Sequence, residues 1–332
     1  MSVDAGAGGH EDELVARLRE RLRDVPAERL LVGIGDDAAV WQPSHGNRSA
    51  ITTDALVEGV HFTRAAMSAR EAGHRALAAN LSDIAAMGAR PVLATIALGF
   101  PPGTDTAWLL EAYDGIAALA KRARCAVAGG DLTRAPAITF AITVVGEVRA
   151  SNLKRRAGAR RGDVVAVTGP LGASRAGLRV AVERPELAGE PELAEALAAY
   201  RTPEPRLREG RWLGASRHVR AMIDTSDGLS TDLARLAAAS STGAIVDTVP
   251  VHAAARRVAA RTGDDADRWA LDGGEDFELL VSVEKRAFEH LAARFLAHLG
   301  RPLIRVGTMT AESGVRLADG TAVSRGGWDH LG

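Results

Sequence analysis

The chain has one cysteine, Cys125, in 332 residues. A single thiol excludes an intramolecular disulfide framework and any cysteine-rich zinc site. It falls in the apolar stretch CAVAGG, so a buried structural thiol is expected rather than a nucleophile. Aromatic residues are scarce, at 4% of the chain. Ala and Gly are abundant, so cores must close through small aliphatic contacts. No stretch reaches the roughly 18 apolar residues of a membrane span, and the N-terminus lacks the charged-then-apolar order of a secretory signal. A cytoplasmic protein with no membrane partner is expected. The formal net charge is -1, which argues against nucleic acid as a partner, because that role needs a basic face. Familiar catalytic motifs are missing too: no GxxxxGKS/T phosphate loop, no HRD or DFG pair, no GxSxG elbow, no HExxH. Any phosphate chemistry must rest on carboxylates, metal ions and glycine turns.

What is present is a series of six Asp-rich motifs: GIGDDAAV (33–40), TTDALVEGVHF (52–62), NLSDIAAMGARP (80–91), GGDLTR (129–134), DTSDGLSTDL (224–233) and LDGGEDFEL (271–279). Acidic residues ordinarily sit in solvent. Here they stand beside Gly, Ala and β-branched residues at the ends of elements. Carboxylates brought together repel one another and need a positive guest. Mg²⁺ fits, since it takes one or two carboxylates and completes its shell with water and phosphate oxygens. The motifs therefore point to a metal-dependent phosphate enzyme.

Each motif also has a plainer reading. Asp36 and Asp37 are adjacent, so on extended backbone they point opposite ways and only one can face a shared site; a solvated turn fits as well. Thr52, Thr53 and Asp54 offer hydroxyl and carboxylate oxygens to a hard cation at a strand end. His61, between Val60 and Phe62, reads by itself as a packed histidine. Asn80 and Asp83 are i, i+3 neighbours on an apolar helix, and a buried carboxylate needs a partner. Gly129 and Gly130 permit a close approach, with Asp131 and Arg134 beyond them, or mark a turn between strands. Asp224, Ser226 and Asp227 end a strand just before a helix, where Asp227 also qualifies as an N-cap. Glu275 and Asp276 precede a strand and are also compatible with exposure.

Periodicity places helices at Glu11–Asp24 (Leu14, Leu18, Leu22), Ser68–Met87, Asp105–Arg122 and Gly228–Ala239. Ser68 and Glu71 form a capping box. Strands are expected at 50–53, 92–98, 125–128, 138–148, 164–169, 221–224, 244–249, 277–283 and 303–307. ADGT at 318–321 reads as a hairpin turn. MSVDAGAGGH, small and Gly-rich, is expected to be disordered. The Arg- and Gly-rich run 149–162 marks a boundary. The fold class is α+β (mixed α/β) in two domains, with a flexible N-terminus and helix at 1–25, an N-terminal domain at 26–150 and a C-terminal α/β domain at 151–332.

In this order and at these separations the six motifs resemble the thiamine-monophosphate kinase family, with the likeness running from Gly33 to the C-terminal GWDHL. That family belongs with aminoimidazole ribonucleotide synthetase, selenophosphate synthetase and a hydrogenase maturation protein. The resemblance implies N-terminal domains paired across a homodimer into a β-barrel. It also implies ATP-dependent phosphorylation of thiamine phosphate to thiamine diphosphate with several Mg²⁺ ions. By motif, Asp37, Thr52, Thr53, Asp54, Asp83, Asp131, Asp224 and Asp227 correspond to metal ligands. Gly130, Asp131, Arg156 and Ser226 correspond to ATP contacts, with Arg155 and Arg160 as neighbouring candidates for Arg156. His61, Glu275 and Trp328 correspond to groups that hold thiamine phosphate. No acid or base is assigned, because the acceptor phosphate is already largely deprotonated near neutral pH. The alternatives are a sister synthetase and a non-catalytic nucleotide- or thiamine-phosphate-binding protein. The first 24 residues carry no cysteine of a selenophosphate synthetase, and the C-terminus carries none of the hydrogenase maturation type. A pure binder has little use for so many mutually repelling charges.

Overall fold

The computed structural model describes residues 8–34, 38–323 and 326. The first seven residues, together with Asp36, Asp37 and Trp328, lie outside them. The chain divides into two compact units. The first comprises Met1–His45, Ile51–Asn80 and Pro91–Gly146; the second comprises Gly46–Ala50, Leu81–Arg90 and Glu147–Gly332.

The first unit contains α1 (Gly8–Leu22), β1 (Leu30–Val32), β2 (Val40–Trp41), most of β3 (Asn47–Val57) and of α2 (Ala69–Ala86), β4 (Arg90–Phe100), α3 (Thr106–Ala123), β5 (Ala126–Arg134) and β6 (Thr139–Arg149). Its main sheet has the order β3-β6-β4-β5, with β4 and β5 parallel. Parallel neighbours require a crossover, and α3 supplies it. The expected capping box is present: the Ser68 amide donates to Glu71 Oε2 (2.8 Å) and the Glu71 amide to Ser68 Oγ (3.3 Å). Asp105 caps α3 by accepting from the Ala107 amide at 2.8 Å. Cys125 is buried, and burial pushes its thiol up to about 12, as suits an inert structural residue.

The scarcity of rings is answered by close helix packing. A Cβ on Gly73 of α2 would stand 1.9 Å from the Ala112 carbonyl oxygen of α3. One on Gly115 of α3 would stand 1.9 Å from the Arg70 carbonyl oxygen of α2. Each glycine thus admits the other helix's backbone.

The second unit contains β7 (Val164–Val167), α4 (Ala173–Leu178), α5 (Ala194–Arg201), α6 (Leu207–Gly214), β8 (Val219–Asp224), α7 (Leu229–Ala239), β9 (Gly243–Val246), α8 (Ala253–Thr262), α9 (Ala266–Asp272), β10 (Leu279–Val283), α10 (Phe288–Leu299), β11 (Ile304–Thr310) and β12 (Gly314–Leu317). Its sheet has the order β12-β9-β11-β7-β10-β8, antiparallel except where β12 joins β9. Central strands β7 and β10 are buried throughout. The pleat divides them between two cores. Val165, Val167, Ile223 and Leu280 pack with Leu233 of α7. Val164, Ala166, Leu279 and Val281 pack with Phe288 and Phe295 of α10.

Several expectations are corrected. The first helix begins at Gly8, not Glu11, so part of the segment expected to be disordered is helical. Strand β3 extends to Val57, which places Asp54 inside it rather than at its end. GGDLTR is likewise strand, the second half of β5, and not a turn. Helices α8 and α9 had no counterpart in the sequence reading. The turn at 318–321 is present, with Gly320 at φ 88° and a Leu317 amide bond to the Thr321 carbonyl at 2.8 Å. No helix of the described residues is long and apolar enough to cross a membrane.

The helix crossing can be checked by urea unfolding. Gly115→Ala is expected to cost about 1–3 kcal/mol, because backbone cannot yield as a side-chain tip can. Gly189→Ala, where nothing lies within 4 Å of the new Cβ, should stay within about 0.5 kcal/mol of the parent.

Candidate functional site

In the second unit the C-terminal end of β8 delivers Asp224 into the protein, 2% exposed. Ser82 of α2, itself fully buried, donates its hydroxyl to Asp224 Oδ2 at 2.7 Å. Asp83 lies near enough to act electrostatically on Asp224. Burial first, and then the Asp83 charge, push the Asp224 carboxyl up to about 7, against the opposing pull of the Ser82 hydroxyl. Arg156 also favours its charged form. Arg156 is exposed, as are Arg155 and Arg160, and the Arg156 carbonyl accepts from Ser240 Oγ at 3.1 Å.

Beyond β8 the backbone turns through Ser226 and Asp227 into α7. Asp227 does not cap this helix. The residue before α7 is Gly228 (φ 98°), with no side-chain cap. A Cβ on Gly228 would meet the Asp272 carbonyl carbon at 2.8 Å. The Asp227 carboxylate instead pairs with Arg235, which also reaches Asp232 at 2.9 Å. The Asp227 amide donates to Asp232 Oδ2 at 2.9 Å. Asp232 is fully buried, and burial pushes it up to about 6. Ser82, Asp232 and Arg235 were not foreseen. Asp232 and Arg235 are one helical turn apart, a spacing that can signal a same-face ion pair.

Glu275 follows Gly273 and Gly274, and its amide donates to the Ser226 carbonyl at 2.8 Å. The loop carrying it therefore lies against the segment carrying Ser226 and Asp227. A Cβ on Gly274 would stand 2.5 Å from the same carbonyl oxygen, so only glycine fits that approach. Three residues beyond Glu275, Glu278 is buried, accepting from Arg206 (2.8 Å), Arg301 (2.7 Å) and Thr168 Oγ1 (2.5 Å).

In the first unit Thr52 and Asp54 share one face of β3, and Thr53 points to the other. Thr53 Oγ1 donates to the Ile142 carbonyl (3.1 Å) and accepts from Thr143 Oγ1 (3.1 Å). His61 follows β3 in a turn, half-buried. Its Nδ1 accepts from the Val57 amide at 3.1 Å, which leaves Nε2 as the nitrogen bearing hydrogen in the neutral ring. Asp131 is exposed on β5. A Cβ on Gly130 would stand 1.9 Å from the Ile96 carbonyl oxygen of β4, so this glycine serves the sheet whatever else it touches. Strands β3 and β5 are the two edges of the four-stranded sheet. Asp54 and Asp131 are thus three strand spacings apart, about 14 Å. Among the described residues no three His, Cys, Asp or Glu side chains converge to hold a metal by themselves. Asp37 and Trp328 lie outside the described residues.

Comparison with known proteins agrees along nearly the whole chain. Residues 35–148 match the AIR synthase related protein N-terminal domain, and residues 160–320 match its C-terminal domain. The thiamine-monophosphate kinase of Synechococcus elongatus is 37% identical, covering 87% of this chain and 88% of that protein. The crystal structure of the thiamine-monophosphate kinase of Stenotrophomonas maltophilia superposes with a TM-score of 0.81 at 36% identity, covering 94% of this chain and 96% of that one. A ThiL protein complexed with AMPPCP and TMP superposes with a TM-score of 0.79 at 28% identity, covering 99% of each. The chain belongs to the thiamine-monophosphate kinase family of AIR synthase related proteins.

Proposed function

We infer that this protein phosphorylates thiamine phosphate to thiamine diphosphate with ATP as the donor, as a cytoplasmic enzyme. The observation that carries the reading is Asp224, a carboxylate buried beside Asp83 at the point where two of the family's motifs meet. Two acids held there call for a cation. The proposed metal ligands are Asp37, Thr52, Thr53, Asp54, Asp83, Asp131, Asp224 and Asp227. Mg²⁺, when bound, neutralises the phosphate oxygens of two anionic substrates that otherwise repel. Each ion needs only one or two of these carboxylates, the rest of its shell being phosphate oxygens and water.

In the reaction a terminal oxygen of thiamine phosphate forms a bond to the γ-phosphorus of ATP. The bond from that phosphorus to the β,γ-bridging oxygen breaks, and ADP leaves with the electron pair. The attacking oxygen is already anionic, so no side chain need remove a proton. The protein's work is placement and charge compensation. Gly130, Asp131, Arg156 and Ser226 are assigned to ATP, with the Arg156 guanidinium matching phosphate oxygens. His61, Glu275 and Trp328 are assigned to thiamine phosphate. An imidazole N–H such as that of His61 suits a phosphate oxygen, and a carboxylate such as Glu275 suits the thiamine cation. Residues 26–150 are read as the ATP- and Mg²⁺-binding domain and 151–332 as the C-terminal domain.

A homodimer completes the proposal. The sheet of the first unit is open, with β3 and β5 at its edges. Ile51 of β3 is 70% exposed and Leu31 of β1 65%. Unpaired edges and exposed aliphatics invite a second copy, and two such sheets can close into a barrel. That arrangement would also relieve the separation of Asp54 from Asp131, since an edge of one protomer would meet an edge of its partner.

Four outcomes test this reading. Protein incubated with ATP, Mg²⁺ and thiamine phosphate should yield ADP and thiamine diphosphate in equal amounts by chromatography. Asp54→Asn and Asp83→Asn should each lower kcat by about 10²-fold or more; near-normal rates in either would remove the metal scheme. Ultracentrifugation should give a dimer for the unaltered chain and a monomer for Ile51→Glu. Finally, Asp224 holds a proton in the folded, metal-free chain that the unfolded chain releases between about pH 4 and 7. Its contribution to stability therefore falls as pH rises through that window. Asp224→Asn should accordingly raise the melting midpoint of the metal-free protein at pH 8 by roughly a few degrees. Near pH 4 the two midpoints should converge, and Mg²⁺ should raise the midpoint of the parent more than that of the variant.

A further inference from the structure

The loop between α9 and β10 contains two non-glycine residues in the left-handed region, Glu275 (φ 64°) and Phe277 (φ 50°). A side chain with a Cβ resists that conformation, so it persists only where the surroundings over-determine it. The constraints are visible. On one side the Glu275 amide donates to the Ser226 carbonyl (2.8 Å) and the Phe277 amide to the Thr225 carbonyl (3.1 Å). Between these two residues Asp276 turns the opposite way. Its Oδ2 accepts from the Gly172 amide (2.6 Å) and its Oδ1 from the Ser174 amide (3.0 Å), and the Ala173 amide adds a third bond. Burial pushes the Asp276 carboxyl up to about 7, against the opposing pull of these backbone bonds. The donors lie just beyond β7, a strand buried throughout. Gly172 is itself fixed, at φ 90°, where a Cβ would meet the Ala270 amide nitrogen at 2.9 Å. Asp276 thus ties a strained loop to the backbone at the start of α4.

We propose that Asp276 is a positioning residue, which holds Glu275 in its left-handed conformation by anchoring the loop to the backbone of residues 172–174 and so sets the affinity for thiamine phosphate. The proposal rests on the reading of Glu275 as a group that holds this substrate. Asp276 is bonded through its oxygens to backbone amides. Its removal should let the two flanking residues relax toward negative φ, carrying the Glu275 carboxylate away from its place. Ser226, assigned to ATP, is tied to this loop through its carbonyl, which accepts from the Glu275 amide, so a smaller effect on ATP should accompany the effect on thiamine phosphate.

The test is a double-mutant cycle read in steady-state kinetics. Asp276→Asn replaces one accepting oxygen by an amide that faces a backbone donor. It should raise KM for thiamine phosphate about tenfold or more, raise KM for ATP by clearly less, and leave kcat within about twofold. In a Glu275→Gln background the same substitution should have almost no further effect, because residues acting through one another are not additive. Equal effects in both backgrounds overturn the proposal while leaving Glu275 in its role, as does a loss spread evenly over kcat and both KM values. A Glu275→Gln chain with unchanged KM for thiamine phosphate removes the assignment of Glu275 and the proposal with it. An unaltered chain that makes no thiamine diphosphate removes the functional reading and the proposal together. Melting curves establish that each variant folds. If Asp276→Asn does not, Asp276→Ser, which keeps one short acceptor, goes through the same cycle.

Discussion

The burial of Asp224 is the constraint from which the rest of the second unit's candidate site follows. A carboxylate at a covered strand end cannot keep its charge there without compensation. Ser82 supplies one hydrogen bond, and Arg156 acts from a distance, but Asp83 adds a second negative charge. The arrangement disfavours the charged form, and the carboxyl is accordingly pushed up to about 7. An acid pair placed in the core for stability alone would have been matched by a buried arginine or replaced by apolar packing. Glu278 shows the contrast in the same unit. It too is buried, but two arginines and a threonine hydroxyl satisfy it. One carboxylate meets two arginines within the fold, and the other meets a hydroxyl and a second acid.

Asp227 and Asp232 occupy an intermediate state. Arg235 holds both side chains, and the Asp227 amide is bound by Asp232. The turn between β8 and α7 is therefore shaped by side-chain charge rather than by a helix cap. Such a turn can present Asp227 to a cation only if Arg235 yields some of its hold.

The backbone around these groups relies on contacts that only glycine permits. Gly73 and Gly115 let two helices meet backbone to backbone, Gly130 lets β5 lie against β4, and Gly274 lets the loop of Glu275 reach Ser226. These contacts explain how a chain with few rings closes its interior. They also tie the motifs to the scaffold, since Gly130 and Gly274 lie inside motifs assigned to ligand contact. A glycine in such a motif need not be there for the ligand alone.

Much of this was legible in the sequence, because local chemistry decides local structure. The Ser68–Glu71 box, the buried Cys125 and the 318–321 turn were each read from a few adjacent residues, and the structure contains all of them. The spacing of six acidic motifs was sufficient to identify the family, and with it the reaction. What the sequence could not decide was which side of a contact each residue serves. Asp54 and Asp131 read as element ends and are strand interior, because ladder hydrogen bonds from distant strands extended β3 and β5. Asp227 read as a cap and is an ion-pair partner, because Arg235 comes around the next turn of α7. Asp224 and Ser82 are 142 positions apart, and only packing brings their side chains within 2.7 Å. Composition and spacing determined which groups the protein carries. Burial and long-range pairing, which depend on every element at once, decided which carboxylates meet an arginine and which are buried beside another acid.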